Sequence, residues 1–181
     1  MSFWKHLKTV HRHRRLVRKG CFQVGLYWQG LTHDLSKYSP TEFLVGVRYC
    51  TGTRSPNAIE REKKGYSTAW LHHKGRNRHH FEYWTDMDAT GQYRALPMPR
   101  RYFAEMVMDR IAACKTYHGS RYQDSDPLTY FLNARETPSL HPETAHDLRL
   151  VLTLLAKQGE PAAFRYIREV VLPGLPITED P

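Results

Sequence analysis

Residues His33-Asp34 set an imidazole nitrogen beside a carboxylate oxygen, the mixed donor pair that a divalent transition metal accepts. Adjacent side chains do not share a helix face, so a dyad that grips one ion belongs at a helix end, where the backbone turns. The chain supplies that end. Pro40 follows shortly, and the residue before a proline is pushed out of helical geometry. Ser39-Pro40-Thr41-Glu42 then reads as a capping box with proline at the first helical position, which places the dyad at a helix-to-helix corner. The dipeptide gains meaning only if further donors reach the same point.

Three other places offer them. Residues 2–19 hold seven Lys or Arg and no acid, with Phe3, Leu7, Val10 and Val17 at helical spacing, so an amphipathic helix with a basic outer face is expected. His13 projects from its apolar stripe, whereas His11 lines up with Arg14 and Arg18 and His6 lies about two turns from His13. Taken alone, His13 reads better as a core histidine bonded to a backbone carbonyl. Four histidines, His72, His73, His79 and His80, fall within nine residues, a density that packing does not explain. Ser67 can cap a short helix ending near Gly75, and one of each pair would face inward. Asp109 lies beside Met106 and Ala113 on an apolar helix side, where burial is costly without a cation, either Arg110 or a metal.

The elements that must position these donors are helical. Gly20 is expected to end the first helix and Cys21 to Thr32 to form the second. Thr41 to Cys50 makes a third with Phe43, Leu44 and Val47 inward, followed by a loop over residues 51–65 with room for one helical turn. Aromatic residues 81, 83 and 84 read as a buried wall, and Thr85 to Pro99 as a long connection. Arg100 to Tyr117 returns to helix. Gly119 to Pro142 is turn-rich, with Thr137-Pro138 among its breakers. Glu143 to Gln158 is the clearest amphipathic helix, stopping at Gly159, and Pro161 to Leu172 is the last, with a frayed tail after Pro173. Alternation of the strand type is nearly absent, so the expected fold is an all-α, single-domain helical bundle.

Composition bounds the function classes. A chain of 181 residues suits one domain with a sizeable core. Cys21, Cys50 and Cys114 are odd in number and widely spaced, which suggests neither a disulfide framework nor a thiolate zinc site. No apolar run approaches a membrane span and the first residues lack the apolar segment of a signal peptide, so a cytoplasmic location without membrane partners is expected. The net charge of +9 points to an anionic small-molecule substrate or a nucleic-acid surface, with the basic first helix as the candidate for the latter.

An inward His13, the His33-Asp34 dyad, a histidine cluster and an inward Asp109, in that order, resemble the HD-domain superfamily of metal-dependent phosphohydrolases. The resemblance covers roughly residues 6–117, with the C-terminal helices 143–172 packing on that core. Its most specific parts are His33-Asp34-Leu35-Ser36-Lys37 and Met108-Asp109-Arg110. It implies a helical bundle of the HD type, a metal held by His13, His33, Asp34 and Asp109, and a second metal or the substrate held from His72, His73, His79 and His80. Lys37 resembles the lysine of the HD-x-x-K subgroup, but no Gly-Tyr-Pro follows the cluster. The sequence is also similar to an uncharacterised bacterial and phage family sharing HDLSKYSP and the later HHKGRN-HH-EYW pattern.

The donor set suits Mn, Fe, Co, Ni or Zn, one ion or two, better than Mg or Ca. Such an ion acidifies bound water and polarises a phosphoryl oxygen, which makes a hydrolase of phosphate esters or nucleotides the leading expectation, with Asp34 and Lys37 in the catalytic centre. Lys37, with Arg76 or Arg78 as substrate-binding residues, would neutralise charge on the phosphoryl oxygens. Two rivals use the same residues differently. A di-iron oxygenase would run oxygen chemistry at the same donors, and a non-catalytic nucleic-acid or partner-binding protein would use the histidines structurally.

Overall fold

A computed structural model describes residues 3–134 and 139–178. The basic N-terminal stretch is helix α1 (Phe3–Gln23), burying His6, Val10, His13, Val17, Gly20 and Cys21 on one face. Gly20 does not end it. A Cβ at that position would lie 2.7 Å from Met108 Sδ, so the glycine serves close approach to a partner helix rather than termination. The turn comes instead at Gly25, whose φ of 84° is the left-handed conformation glycine favours, and α2 is correspondingly short (Tyr27–Thr32).

A 3-10 turn over Leu35–Tyr38 leads to α3 (Pro40–Tyr49), whose N-cap Ser39 accepts a hydrogen bond from the Glu42 amide. Phe43 is buried as expected, but Leu44 is 63% exposed because the inward face is shared with Glu42 and Gly46. The expected loop over 51–65 contains a nine-residue helix, α4 (Pro56–Lys64), started by proline at its first turn and closed by Gly65 at φ 83°. Ser67 caps α5 (Thr68–Lys74) through a 3.0 Å bond from the Trp70 amide. Of the expected aromatic wall only Phe81 is buried; Tyr83 is 37% exposed and Trp84 is half-buried. The connection beyond it is a small antiparallel hairpin, β1 (Thr85–Met87) with β2 (Tyr93–Ala95), pairing Asp86 with Arg94.

Helix α6 (Arg100–His118) is the central strut, buried on several sides at once, and α7 (Asp126–Asn133) packs against it. The last long helix, α8 (Pro142–Tyr166), breaks at Gly159 (φ 79°, ψ 176°), two residues before Pro161, and continues into a π-helical turn over Ile167–Val171. One apolar core runs through Val17 and Cys21 of α1, Ala104, Met108 and Ile111 of α6, and Leu148, Leu152 and Leu155 of α8. Each fully buried leucine there contributes on the order of 1.5–3 kcal/mol, so α1 is tied to α6 by the same packing that holds α8. The tail is not frayed throughout: Ile177 is buried in that core. The breaker Thr137-Pro138 lies outside the described residues. The architecture is all-α apart from the hairpin, and no helix among the described residues is long and apolar enough to cross a membrane. The three cysteines are free and buried; burial pushes the Cys114 thiol up to about 11.

Candidate metal centre

The dyad sits where α2 ends. His33 closes that helix, and Asp34 follows with φ 54° and ψ 29°, the one non-glycine residue at positive φ among the described residues. Left-handed backbone at an aspartate is strained, and such strain persists where surrounding contacts fix it. Here it brings neighbouring side chains to one point: His33 Nε2 lies 3.3 Å from Asp34 Oδ2.

Two further helices deliver donors to the same oxygen. His13 Nε2, from α1, stands 3.6 Å from Asp34 Oδ2 and 2.9 Å from Asp109 Oδ1. Asp109 Oδ1, from α6, lies 3.5 Å from His33 Nε2. Ligands on neighbouring positions of one ion, each about 2.0–2.2 Å from it, stand about 3–3.5 Å apart, so these four atoms have the spacing of one coordination sphere. Asp109 therefore faces His13 and His33, not Arg110.

The other oxygen of Asp34 meets a second set. His73 Nε2 lies 3.2 Å and His79 Nε2 3.5 Å from Asp34 Oδ1, and His80 completes a group of four potential ligands there. Asp34 itself is wholly buried, with each oxygen turned to a different group.

Two glutamates orient the rings from behind. Glu105 Oε1 accepts hydrogen bonds from His33 Nδ1 at 2.9 Å and His79 Nδ1 at 3.1 Å, one histidine from each set. Glu42 accepts from His73 Nδ1 at 2.7 Å and from His72 Nδ1 at 2.6 Å. Each bond places the proton on Nδ1 and points the Nε2 lone pair inward, the arrangement that metal-binding histidines use. Glu105 also lies close enough to His33 and His79 to make a third group, but 2.9 and 3.1 Å are hydrogen-bond lengths with both protons accounted for.

The inward atoms are left without partners. His13, His33, His79 and His80 Nε2 and Asp34 Oδ1 are buried and make no hydrogen bond. Such orphaned groups cost roughly 1–3 kcal/mol each, and their gathering on the two sides of Asp34 is the pattern that cations relieve. The residues present thus fit one or two transition metals of mixed nitrogen and oxygen preference.

Charge tells the same story. Burial pushes the Asp34 carboxyl up, yet His33, Lys37 and His73 outweigh it and hold it well below the usual carboxylate range. Asp109 is likewise driven up by burial and brought well down by the His13 and His33 rings beside it. The acids in turn overcome burial to raise His33 well above an ordinary histidine, and His73 is raised in the same way by Asp34 and Glu42. His80 goes the other way: burial, with His79 and His73 nearby, keeps it well below the usual range and so neutral, the form that ligates. Lys37 Nζ lies 2.5 Å from Asp34 Oδ2, and that carboxylate raises its pKa against burial.

Both sets open onto a cavity of about 570 Å³, reached by His13, Asp109, His73, His79 and His80. His72 is held aside, half-buried, on Glu42. Arg76 and Arg78 are exposed and stand off the cavity wall: Arg76 bonds the His72 carbonyl, and Arg78 bonds the Tyr102 hydroxyl and lies over the Tyr83 ring. Their removal follows from the turn after α5, which directs His79 inward and the arginines outward. Glu42 and Glu105 escaped the sequence reading. The signal for Glu105 was its position one helical turn before Asp109 on the same face; Glu42 was concealed by its place in a capping box.

An all-α chain with a buried histidine–carboxylate cluster at a helix corner is the class that fold and site define. Residues 2–154 match the family described as "Family of unknown function (DUF5662)", and the chain belongs to that family. The matched span includes every residue of the cluster. No curated protein and no solved structure matches the chain.

Proposed function

We propose that the chain is a metal-dependent phosphohydrolase acting on a phosphate ester or nucleotide through a dinuclear centre shared across Asp34. The observation that carries this reading is the division of labour at that carboxylate, Oδ2 facing His13, His33 and Asp109 and Oδ1 facing His73 and His79. The likeness of the dyad, His13 and Asp109 to the HD-domain pattern supports it. When bound, a pair of such ions acidifies water and draws charge from a phosphoryl oxygen. The chain's own residues would do the rest: Glu105 and Glu42 hold the imidazoles in one tautomer, and Lys37, on the cavity wall beside Asp34, offsets phosphoryl charge.

Elemental analysis of tag-free protein, followed by phosphate release from a panel of nucleotides and phosphomonoesters with Mn, Fe, Co, Ni, Zn or Mg added, tests the reading. Two ions with metal-dependent phosphate release are expected. Two irons with oxygen uptake and no phosphate release would replace it with the oxygenase.

One observation favours a second, nucleic-acid-binding reading. Among the described residues no Lys or Arg of α1 forms a salt bridge, and Trp4 (66% exposed) and Phe22 (39%) share the outer stripe with Lys8, Arg15 and Arg18. Cations interleaved with aromatics suit single strands. Salt-dependent binding of an oligonucleotide by metal-free protein, abolished by charge removal at Arg15 and Arg18, is its test.

A further inference from the structure

The cavity wall carries three long cations and two histidines outside the cluster. Burial and the Lys37 ammonium hold His6 below the ordinary histidine range, and three of the other four already have acids. Lys37 is held by Asp34, Arg54 by Glu62, and His118 by Asp126 at 2.6 Å. Arg110 is the exception. Among the described residues it forms no ion pair; its Nε is buried without a hydrogen-bond partner, and its guanidinium lies 6.0 Å from the centre of the Phe131 ring. Asp109, its neighbour in the chain, is turned to His13 and His33.

An Nε–H buried without an acceptor is costly, and the planar guanidinium fork is shaped for bidentate binding of a carboxylate or phosphate. The Phe131 ring stands at the outer limit of a cation–π contact with it. Arg110 lines the same cavity as Asp109, its neighbour on α6. The volume of about 570 Å³ is that of a small-molecule site, far more than one phosphoryl group fills.

We infer that Arg110 anchors an anion subsite: the substrate carries a second anionic group, a carboxylate or a further phosphate, remote from the phosphoryl group at Asp34. The inference rests on the phosphoester reading for the identity of the first group, and on Arg110 alone for the second. It gives a ligand to the cavity cation that lacks an acid, while Lys37 serves the first phosphoryl group beside Asp34.

Calorimetric titration of the manganese-loaded and the metal-free full chain with three series of phosphonates tests it. The series are alkylphosphonates, ω-carboxyalkylphosphonates and ω-phosphonoalkylphosphonates of two to five carbons. With metal, one chain length of a dianionic series should bind about tenfold or more tighter than the alkylphosphonate of the same length, the size of a charge-assisted bond. The series that shows the gain identifies the second group as carboxylate or phosphate. Arg110→Gln should bring that ratio close to one, and Arg110→Lys should keep part of it. A ratio that survives Arg110→Gln, or no gain at any length, overturns the subsite even if alkylphosphonates bind only with metal. Phosphonate binding indifferent to metal, together with an Arg110-dependent gain, removes the phosphoester reading and upholds the subsite.

Discussion

The two sides of Asp34 are built in different ways. The Oδ2 side draws on positions as far apart as 13 and 109, carried by α1 and α6, which the apolar core clamps together. The Oδ1 side draws on residues 73, 79 and 80, held by side-chain hydrogen bonds around one loop: Asn77 Nδ2 donates to Ser36 Oγ and to the His73 carbonyl, each at 2.8 Å, and Trp84 Nε1 donates to the Arg78 carbonyl at 2.7 Å. Core packing opens only with global unfolding, whereas a short segment of loop bonds opens at lower free energy. The first set of donors is therefore as rigid as the fold, and the second only as rigid as its own corner.

The sharpest way to break the comparison is to remove the atom pair that both sides share. Asp34→Asn keeps the shape and a side chain tolerant of left-handed backbone, but removes the charge. Under the proposed dinuclear reading, elemental analysis should then find both ions lost, with affinity reduced by more than about 100-fold, beyond what changes behind the ligands cost. Retention of both ions would show that Asp34 is not shared.

Next in size are the glutamates. Glu105→Gln frees one histidine of each set, so metal titration should show both affinities falling by roughly 10–100-fold. Glu42→Gln frees His73 and should produce a loss of that size on the Oδ1 side alone. Equal weakening of both sides by Glu42→Gln would erase the distinction. Gly20→Ala attacks the opposite side through packing. Its Cβ would meet Met108 Sδ at 2.7 Å, so thermal denaturation should show a loss of about 1 kcal/mol or more, with the weaker metal affinity confined to the Oδ2 side.

The difference between the two sides also decides what the sequence revealed. His13 and Asp109 were legible because each is a polar residue on an apolar helical stripe, an anomaly that periodicity exposes. The corner was legible because Ser39-Pro40 dictates where a helix must start. The inward member of each histidine pair was not, since two adjacent residues differ only by where the backbone turns, and that turn depends on Asn77 finding Ser36 forty-one positions away. Glu42 and Glu105 looked like ordinary helical acids; only the meeting of α3 with α5, and of α6 with the dyad, gives them histidines to hold. Arg76 and Arg78 were drawn to the site by charge and sequence proximity, whereas Arg110, one step from a recognised aspartate, faces the cavity. The N-terminal corner shows the limit of residue type: Gly20 and Gly25 are the same letter, one serving packing and the other a turn.

The smallest effect tests how the Oδ1 side is moored. Glu60, fully buried, ties α4 to the start of α5, accepting from Ser67 Oγ at 2.7 Å, Thr68 Oγ1 at 2.9 Å and Lys64 Nζ at 3.0 Å. Burial raises its pKa, but these bonds outweigh it and hold it at about 2. A carboxyl depressed in the folded state stabilises fully above its unfolded value, and that contribution is lost as pH falls from about 4.5 toward 2. Denaturant unfolding across that window should therefore show wild-type stability declining on the order of 1–2 kcal/mol more than Glu60→Gln, the figure being reduced for solvent screening at the helix ends. Near neutral pH the same substitution should loosen Ser67 from its glutamate and, through α5, reduce affinity on the Oδ1 side by a few-fold, less than Glu42→Gln does. The Oδ2 side, anchored in the core, should not respond. If it weakens equally, the two sides move as one body and the local mooring is not what separates them.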